Sequence, residues 1–257
     1  VISICYSTWF TRILGKDTKN PNPPNITEIL AGNQEWGGLY QFHYWAKPAL
    51  GYYKSHDKDV IRTHMTQLAG AGVDFIIIDN TNASAGWLET NDWELFITLP
   101  CEAILDTILE MRSEGLKTPY VVFWSGVKPE FGWTVVNETY EQFLSQEKWK
   151  DCFVYWEGKP FMITTDLAEN APEHMTLRKM WGLKAQPEEG VWSFLDIKNM
   201  PNPDADGYTE QMCVCTAAQE TYMSLPTAHG RNHGIFLYTQ WYNAFQNRPK
   251  VVTVTWW

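Results

Sequence analysis

Two aspartates in this chain follow directly on apolar segments of the kind that form buried strands. Asp79 ends the run Phe75–Ile78, and Asp196 ends the run Val191–Leu195. A carboxylate held at the end of a strand can act as a general acid, a general base or a nucleophile when its surroundings separate its pKa from that of a partner. We therefore predict Asp79 and Asp196 as catalytic residues. The alternative for each is a structural acid that caps a helix or binds loop amides.

Other side chains near the predicted strand ends, or in the loops beyond them, are of types that bind a polar ligand or stack on a ring. His43 lies between two aromatic residues and is equally typical of a buried inner-face histidine. Arg231 belongs to the glycine-bearing loop AHGRNHG. The predicted ligand-binding residues are His43, Trp45, Asn80, Trp124, Arg231 and Trp257.

Carboxylates surrounded by tryptophan and histidine suit the hydrolysis of glycosidic bonds. That reaction needs one protonated acid for the leaving oxygen and one ionised partner, which acts as a nucleophile or as a base for water. The residue types therefore favour carboxylate acid–base chemistry on a saccharide.

The segment that positions Asp79 runs from Asp57 to Asn82. Apolar residues from Val60 to Ala71 recur at three- and four-residue steps, Asp57 can cap the start and Gly72 can close the end, which predicts an amphipathic helix. The following strand, Val73–Asp79, is continuously apolar before its last residue. Such a run is typical of a parallel strand that is covered on both faces.

Strand-like and helical patterns alternate along most of the chain. Cys152–Trp156 and Phe161–Thr165 predict either a hairpin or an interrupted fifth strand. The other predicted strands are Val1–Phe10, Leu39–Trp45, Pro119–Trp124, Val191–Leu195, Gln211–Cys215 and Val251–Trp257. The other predicted helices are Cys101–Ser113, Asn137–Lys148, Met175–Leu183 and Ile235–Asn247.

About eight strands with helices between them predict an α/β fold, a TIM-type (β/α)8 barrel that forms a single domain over residues 1–257. An open doubly wound sheet is the alternative, but no glycine-rich phosphate loop follows the first strand. In a barrel, the residues at the carboxyl ends of the strands meet at one end. The third predicted strand would bring Asp79 there.

The composition limits the classes of partner. The formal net charge is −10, which disfavours nucleic acids and anionic membranes, and no apolar run is long enough for a membrane helix. The 14 tryptophans, 12 tyrosines and 12 phenylalanines exceed the usual aromatic content, and flat aromatic faces suit sugar rings, although most aromatic residues serve a core. We expect a carbohydrate partner and no nucleic acid or membrane insertion.

The five cysteines do not form a metal or redox motif. No CxxC occurs and no spaced Cys/His set accompanies them, so we expect neither a metal nor another cofactor. A metal-dependent hydrolase is the weakest of the alternatives for the same reason. Cys213 and Cys215 lie two apart on a predicted strand and would face the same side as buried free thiols.

Three tripeptides match the acceptor pattern for N-linked glycans. They begin at Asn25, Asn82 and Asn137, and together with the strand-like start at Val1 they predict a secreted, extracellular protein whose leader has been removed or lies outside this sequence. The oligomeric state has no sequence signal.

Four blocks resemble the glycoside hydrolase family 71/99-like group, the relatives of endo-α-mannosidase. The block GYYKSHDKDVIRTHMTQLAGAGVDFIIIDNTN is the most specific. The others are YWEGKPFMI, WSFLD and the closing QWYNAFQNRPKVVTVTWW. The resemblance implies a (β/α)8 barrel acting on glycosidic bonds.

Members of that group continue from the last strand into an Asn-Glu-Trp motif whose glutamate belongs to the active site, whereas this sequence stops at Trp257. The resemblance therefore implies a barrel that is incomplete at its carboxyl terminus. We expect a secreted glycoside hydrolase with a Trp-lined barrel mouth when the chain is full length. The alternative is a non-catalytic carbohydrate-binding or matrix glycoprotein on the same barrel.

Overall fold

The computed structural model describes residues 1–8, 10, 26–35, 47–81, 83, 94–182, 186–217 and 232–255. The chain forms two compact units. The first is made of Val1–Tyr6, Ala69–Asn82 and Pro119–Trp257, and the second of Ser7–Leu68 and Ala83–Thr118. The prediction of one domain stays a prediction.

The first unit contains a barrel of eight parallel strands, which confirms the α/β TIM-type fold. The eight strands are β1 (Ile2–Tyr6), β2 (Phe75–Asn80), β3 (Tyr120–Ser125), β5 (Lys159–Thr164), β6 (Thr176–Trp181), β7 (Val191–Ser193), β9 (Thr209–Cys215) and β10 (Val251–Thr255). Neighbouring strands pair in the order β7-β6-β5-β3-β2-β1-β10-β9.

Two short strands complete the sheet. β4 (Tyr155–Trp156) forms an antiparallel hairpin with β5, which settles the open choice between a hairpin and an interrupted strand. β8 (Asn202–Pro203) is antiparallel to β9.

The barrel closes between β7 and β9 through a side chain. The Gln211 amide on β9 donates to the Ser193 carbonyl and accepts from the Ser193 N–H, both at 2.9 Å. This pair of bonds takes the place of a backbone ladder. Asn202 donates to the same Gln211 oxygen at 2.7 Å and to the Ser193 hydroxyl at 3.0 Å. All three side chains are buried.

The prediction of a helix at Met175–Leu183 is wrong, because β6 occupies the centre of this segment. β6 pairs with β5 on one side and β7 on the other. Leucine, arginine, lysine and methionine favour helices by only tenths of a kcal/mol, which two strand neighbours with free backbone groups override.

β2 is the second strand of the barrel and not the third, since it pairs directly with β1. The predicted strand Leu39–Trp45 lies outside the described residues. Every residue of β2 is buried, as the continuous apolar run predicted.

The helix before β2 forms as predicted. Asp57 accepts hydrogen bonds from the Asp59 and Val60 N–H groups, and Gly72 has a φ of 80°, which suits glycine at a helix end. The described α-helices are α1 (Ile26–Leu30), α2 (Lys58–Gly70), α3 (Leu99–Ser113), α4 (Thr134–Thr139) and α5 (Ile235–Asn247).

Shorter helical segments make up one of the predicted helices and lead into two of the α-helices. The helix predicted at Asn137–Lys148 is divided between α4, a π-helical turn at Tyr140–Leu144 and a 3₁₀ segment at Glu147–Cys152. A π-helical turn at Glu94–Thr98 leads into α3, and a 3₁₀ turn at Asn232–Gly234 precedes α5.

Much of the barrel interior is apolar. Alternate residues of each strand point inward, and the cluster that they form includes Phe75, Ile77, Val122, Trp124, Phe161, Ile163, Met180, Trp192, Cys213 and Cys215. A second cluster packs α5 on the outer face of β9 and β10. None of the helices within the described residues has the length and apolar character that crossing a membrane requires.

Candidate functional site

The carboxyl ends of the parallel strands meet at one end of the barrel, where enzymes of this fold keep their catalytic groups. Cys5, Ile77 and Val122 point into the barrel interior. Because side chains of a strand alternate between its two faces, the residues two positions further along each strand also point inward, at this end of the barrel. At the strand ends these inward-facing residues comprise Asp79, Trp124, Phe194, Cys215 and Thr255.

Asp79 is the buried carboxylate of this end, with only 3% of its surface exposed. Its Oδ1 accepts hydrogen bonds from the Thr81 N–H at 2.9 Å and from the Thr81 hydroxyl at 2.7 Å. No hydrogen bond to Oδ2 is found within the described residues. One oxygen is therefore fixed by the loop, and the other has no hydrogen-bond partner in the described part of the chain.

Burial changes the acidity of Asp79. Loss of solvent raises its pKa from an ordinary 3.8 to about 6, although the two bonds from Thr81 act in the opposite direction. Burial, followed by the charge of Asp79, also raises the pKa of the Cys5 thiol well above its usual range. Near neutral pH Asp79 can thus either give or take a proton, while Cys5 stays a neutral thiol.

The wall beside Asp79 is aromatic. Trp124 stands in register with Asp79 on the neighbouring strand. Its ring centroid lies 4.7 Å from that of Phe194 and 6.2 Å from that of Trp181. Trp124 is 1% exposed, and its buried indole N–H has no hydrogen-bond partner among the residues that the structure describes.

Trp181 is a candidate ligand-contacting residue that sequence reasoning missed. It ends β6, is partly buried, and its ring lies edge-on to that of Trp124. The segment was predicted as a helix, and a helix would not have placed residue 181 at a strand end. The pairing of β6 with a strand on each side identifies this segment as a strand, and a single sequence does not show that pairing.

Asp196 is held by its own loop. Its Oδ1 accepts from the Lys198 N–H at 2.9 Å, and its Oδ2 accepts from the Met200 N–H at 2.7 Å and the Ser193 hydroxyl at 3.4 Å. These bonds correspond to the structural role weighed from the sequence. The catalytic role of Asp196 stays a prediction.

Gln240 of α5 supports the same loop. Its amide donates to the Asp196 carbonyl at 3.0 Å and accepts from the Cys215 N–H at 2.8 Å. Cys213 and Cys215 are buried thiols outside any disulfide, as predicted from their spacing, and the other three cysteines are also buried and not disulfide-bonded.

Asn80 lies on the opposite face of β2 from Asp79. Its amide donates to the Thr139 hydroxyl on α4 at 2.9 Å, and Thr139 donates in turn to the Val135 carbonyl. Asn80 thus ties the strand to a helix outside the barrel interior. Its ligand-binding role stays a prediction.

The amino-terminal part of the barrel holds a buried ion pair. Arg178 donates to both oxygens of Glu210, at 2.7 and 3.0 Å, and the Trp192 indole donates to the same carboxylate at 2.7 Å. Both oxygens of the Glu210 carboxylate therefore accept hydrogen bonds from side chains of the barrel. The arrangement is structural and lies away from the strand ends that carry Asp79.

Four of the predicted site residues and two of the predicted glycan sites lie outside the described residues. The site residues are His43, Trp45, Arg231 and Trp257, and the glycan sites are Asn25 and Asn82. Asn137 is exposed on α4. Within the described ranges no group of three or more histidine, cysteine or acidic side chains is arranged to hold a metal ion.

The chain matches no protein-family model and no curated protein. It is similar in fold to a solved structure of the GH99 endo-α-mannosidase from Bacteroides thetaiotaomicron, with a TM-score of 0.56 and 12% identity over 81% of this chain and 69% of that one. A second structure of that enzyme, in complex with Bis-Tris propane, gives a TM-score of 0.55 and 12% identity over 81% and 73% of the two chains. At this identity the comparison shows a GH99-like barrel fold.

Proposed function

We propose that this protein is a secreted glycoside hydrolase that cleaves glycosidic bonds of an oligo- or polysaccharide. The observation that carries the proposal is Asp79, a buried carboxylate of raised pKa at the catalytic end of a barrel. The similarity to GH99 structures supports a carbohydrate substrate.

In this proposal Asp79 is the proton-transfer group. A carboxyl with a pKa of about 6 is well matched to general acid–base catalysis, since both of its forms are populated at mildly acidic to neutral pH. As the glycosidic C–O bond breaks, Asp79 gives its proton to the leaving oxygen. Water then adds to the anomeric carbon and its proton restores the acid, with Asp196 as the second carboxylate that this reaction requires.

The neighbours of Asp79 suit a sugar. Thr81 holds Oδ1 and leaves Oδ2 to the substrate, while Trp124, Trp181 and Phe194 supply the aromatic wall. The unpaired Trp124 N–H would gain a partner if a sugar oxygen approached it, and pairing a buried donor recovers about 1–3 kcal/mol.

A second candidate function is carbohydrate binding without catalysis. The observation that favours it is the state of Asp196, whose carboxylate already accepts three bonds from its own loop. A glycosidase needs a second carboxylate beside the first. If Asp196 cannot leave its loop, Asp79 would bind a saccharide without cleaving it.

Incubation with a panel of oligosaccharides separates the two functions. For the hydrolase, we expect the protein to release reducing ends, Asp79→Asn to lose roughly 10²–10⁴-fold in rate, and saccharide binding by calorimetry to survive the substitution. Asp206→Asn, in the exposed turn between β8 and β9, is the matched control and should keep full activity.

Each other outcome has a definite meaning. Binding without release by the wild type supports the second candidate. Release that is unchanged in Asp79→Asn contradicts the role of Asp79, and the absence of both binding and release contradicts both functions.

Secretion and glycosylation belong to the same proposal. Asn137 is exposed and Thr139 completes its acceptor tripeptide, so we propose Asn137 as a glycan site together with Asn25 and Asn82. A mass decrease on treatment of the natural protein with an amide-cleaving glycanase would support these sites. An unchanged mass would contradict them.

A further inference from the structure

Helix α5 carries an apolar stripe on its solvent side. Its members are exposed over much of their surface: Ile235 to 57%, Tyr238 to 71%, Tyr242 to 53% and Phe245 to 70%. They follow one another at steps of three, four and three residues, which is the spacing of a continuous helix–helix seam. Scattered exposed apolar residues are ordinary, but four along one line are not.

The stripe is separate from the face that packs on the barrel. Gln240 and Ala244 are buried against the sheet, and Phe236, Leu237 and Trp241 are partly buried there. The helix thus has two apolar faces, of which the barrel covers one.

The charge distribution favours a second copy of this chain as the occupant. From Ile235 to Asn247 the helix has no charged side chain, although the whole chain has a formal net charge of −10. Two copies of a chain with this net charge repel each other at long range, but two α5 helices can pack without bringing charged side chains of the helix together.

The stripe is also self-complementary. Ile235 and Phe245 lie five residues on either side of Gln240, and Tyr238 and Tyr242 lie two residues on either side of it. Two antiparallel copies related by a twofold axis near residue 240 therefore align each Ile235 with the partner's Phe245 and each Tyr238 with the partner's Tyr242. Such an isologous contact is the usual one in dimers.

We propose that the protein forms a reversible twofold dimer through antiparallel pairing of α5. Aromatic side chains bury 150–250 Å² when fully covered, so four large side chains exposed by these fractions would cover about 750–1,250 Å² over both copies. This area lies at the lower limit for specific interfaces, which indicates a weak, concentration-dependent dimer.

Sedimentation velocity over a concentration series tests the proposal. For the wild-type chain, we expect the average mass to rise with concentration toward twice that of the monomer. Tyr242→Lys should weaken the dimer at least about tenfold, because central aromatic residues dominate small interfaces. Asn247→Lys places the same charge at an exposed position of α5 on the side away from the stripe, and should leave the dimer intact.

A double variant tests the antiparallel alignment. Tyr238→Glu and Tyr242→Lys should each disrupt the dimer alone, but combined in one chain they would place opposite charges across the twofold axis and restore it. Circular dichroism confirms that each variant is folded. A wild type that stays monomeric throughout, equal disruption by Asn247→Lys, or no restoration in the double variant would each overturn the proposal.

Discussion

Asp79 and Trp124 stand side by side in register on the parallel strands β2 and β3, both directed into the carboxyl end of the barrel. Both side chains are buried there, and burial raises the Asp79 pKa to about 6. A polar group and an aromatic wall in this arrangement form the centre of the candidate site. The predictions below test what sets the acidity of Asp79 and what holds the barrel around it.

Replacing Asp79 should change how stability depends on pH. Because the folded-state pKa is raised above the unfolded value, protonated Asp79 favours folding below about pH 4, and this contribution is lost as the pH rises through about 6. Relative to Asp79→Asn, the wild type should lose about 3 kcal/mol of unfolding free energy between about pH 4 and pH 7. Urea denaturation at several pH values measures the difference. Parallel curves for the two proteins would contradict it.

Replacing Trp124 by phenylalanine should lower the pKa of Asp79. The smaller ring leaves room for water beside the carboxyl, and solvation favours its charged form. A ¹³C NMR titration of the aspartate carboxyl signals, with Asp79 assigned from Asp79→Asn, follows the midpoint.

Trp149→Phe is the matched control for the Trp124 substitution. Trp149 is equally buried, but it packs on Phe143 and not at the strand ends near Asp79. This variant should lose packing stability and keep the Asp79 midpoint. A similar midpoint in Trp124→Phe and the wild type would exclude the indole as a source of the raised pKa.

Removing the Thr81 hydroxyl should raise the pKa of Asp79. That hydroxyl donates to Asp79 Oδ1 at 2.7 Å and stabilises the carboxylate. Thr81→Val keeps the backbone donor but loses this bond, so the midpoint of the same titration should rise above that of the wild type. Thr81→Ser retains the hydroxyl and should titrate like the wild type. A midpoint that falls in Thr81→Val would contradict this account.

Gly126 allows the loops after β2 and β3 to approach closely. A Cβ at this position would lie 3.0 Å from the Thr81 carbonyl oxygen, so an alanine must displace the loop that holds Asp79. We expect Gly126→Ala to reduce saccharide hydrolysis by about 10–100-fold, because small displacements of a positioned catalytic group are costly. Initial rates at saturating substrate measure the loss.

Gly70→Ala is the control for Gly126. Nothing lies within 4 Å of the Cβ that it would add at the end of α2, so its activity should match that of the wild type. Equal activity of the two alanine variants would show that the loop adjusts without moving Asp79.

Gln211 should be required for closure of the barrel. Gln211→Leu keeps the size of the side chain but leaves the buried Ser193 N–H and carbonyl without partners. Each buried group that loses its hydrogen bond costs about 1–3 kcal/mol, so the unfolding free energy should fall by about 2–5 kcal/mol. Gln246→Leu, exposed on α5, should change it by less than about 0.5 kcal/mol. A small effect of Gln211→Leu in chemical denaturation would contradict the closure role.

The sequence by itself determined the elements whose signals are local. α2 has its aspartate cap and its glycine end, β2 is a continuous apolar run, and α5 extends from Ile235 to Asn247 as its periodicity predicts. Asp79 was likewise identified from its place at the end of β2. These features depend on neighbours within a few residues, so the pattern contains the information that they need.

The tertiary structure alone decided the features that depend on distant partners. β6 is a strand because β5 and β7 complete its hydrogen bonds, and this places Trp181 beside Trp124. Gln211 joins β7 to β9 across 18 residues of sequence. Asp196 resembled Asp79 in the sequence, yet its loop satisfies its carboxylate, whereas burial raises the pKa of Asp79. Solvent exclusion and hydrogen-bond partners are set by packing, and packing joins segments that are far apart in the chain.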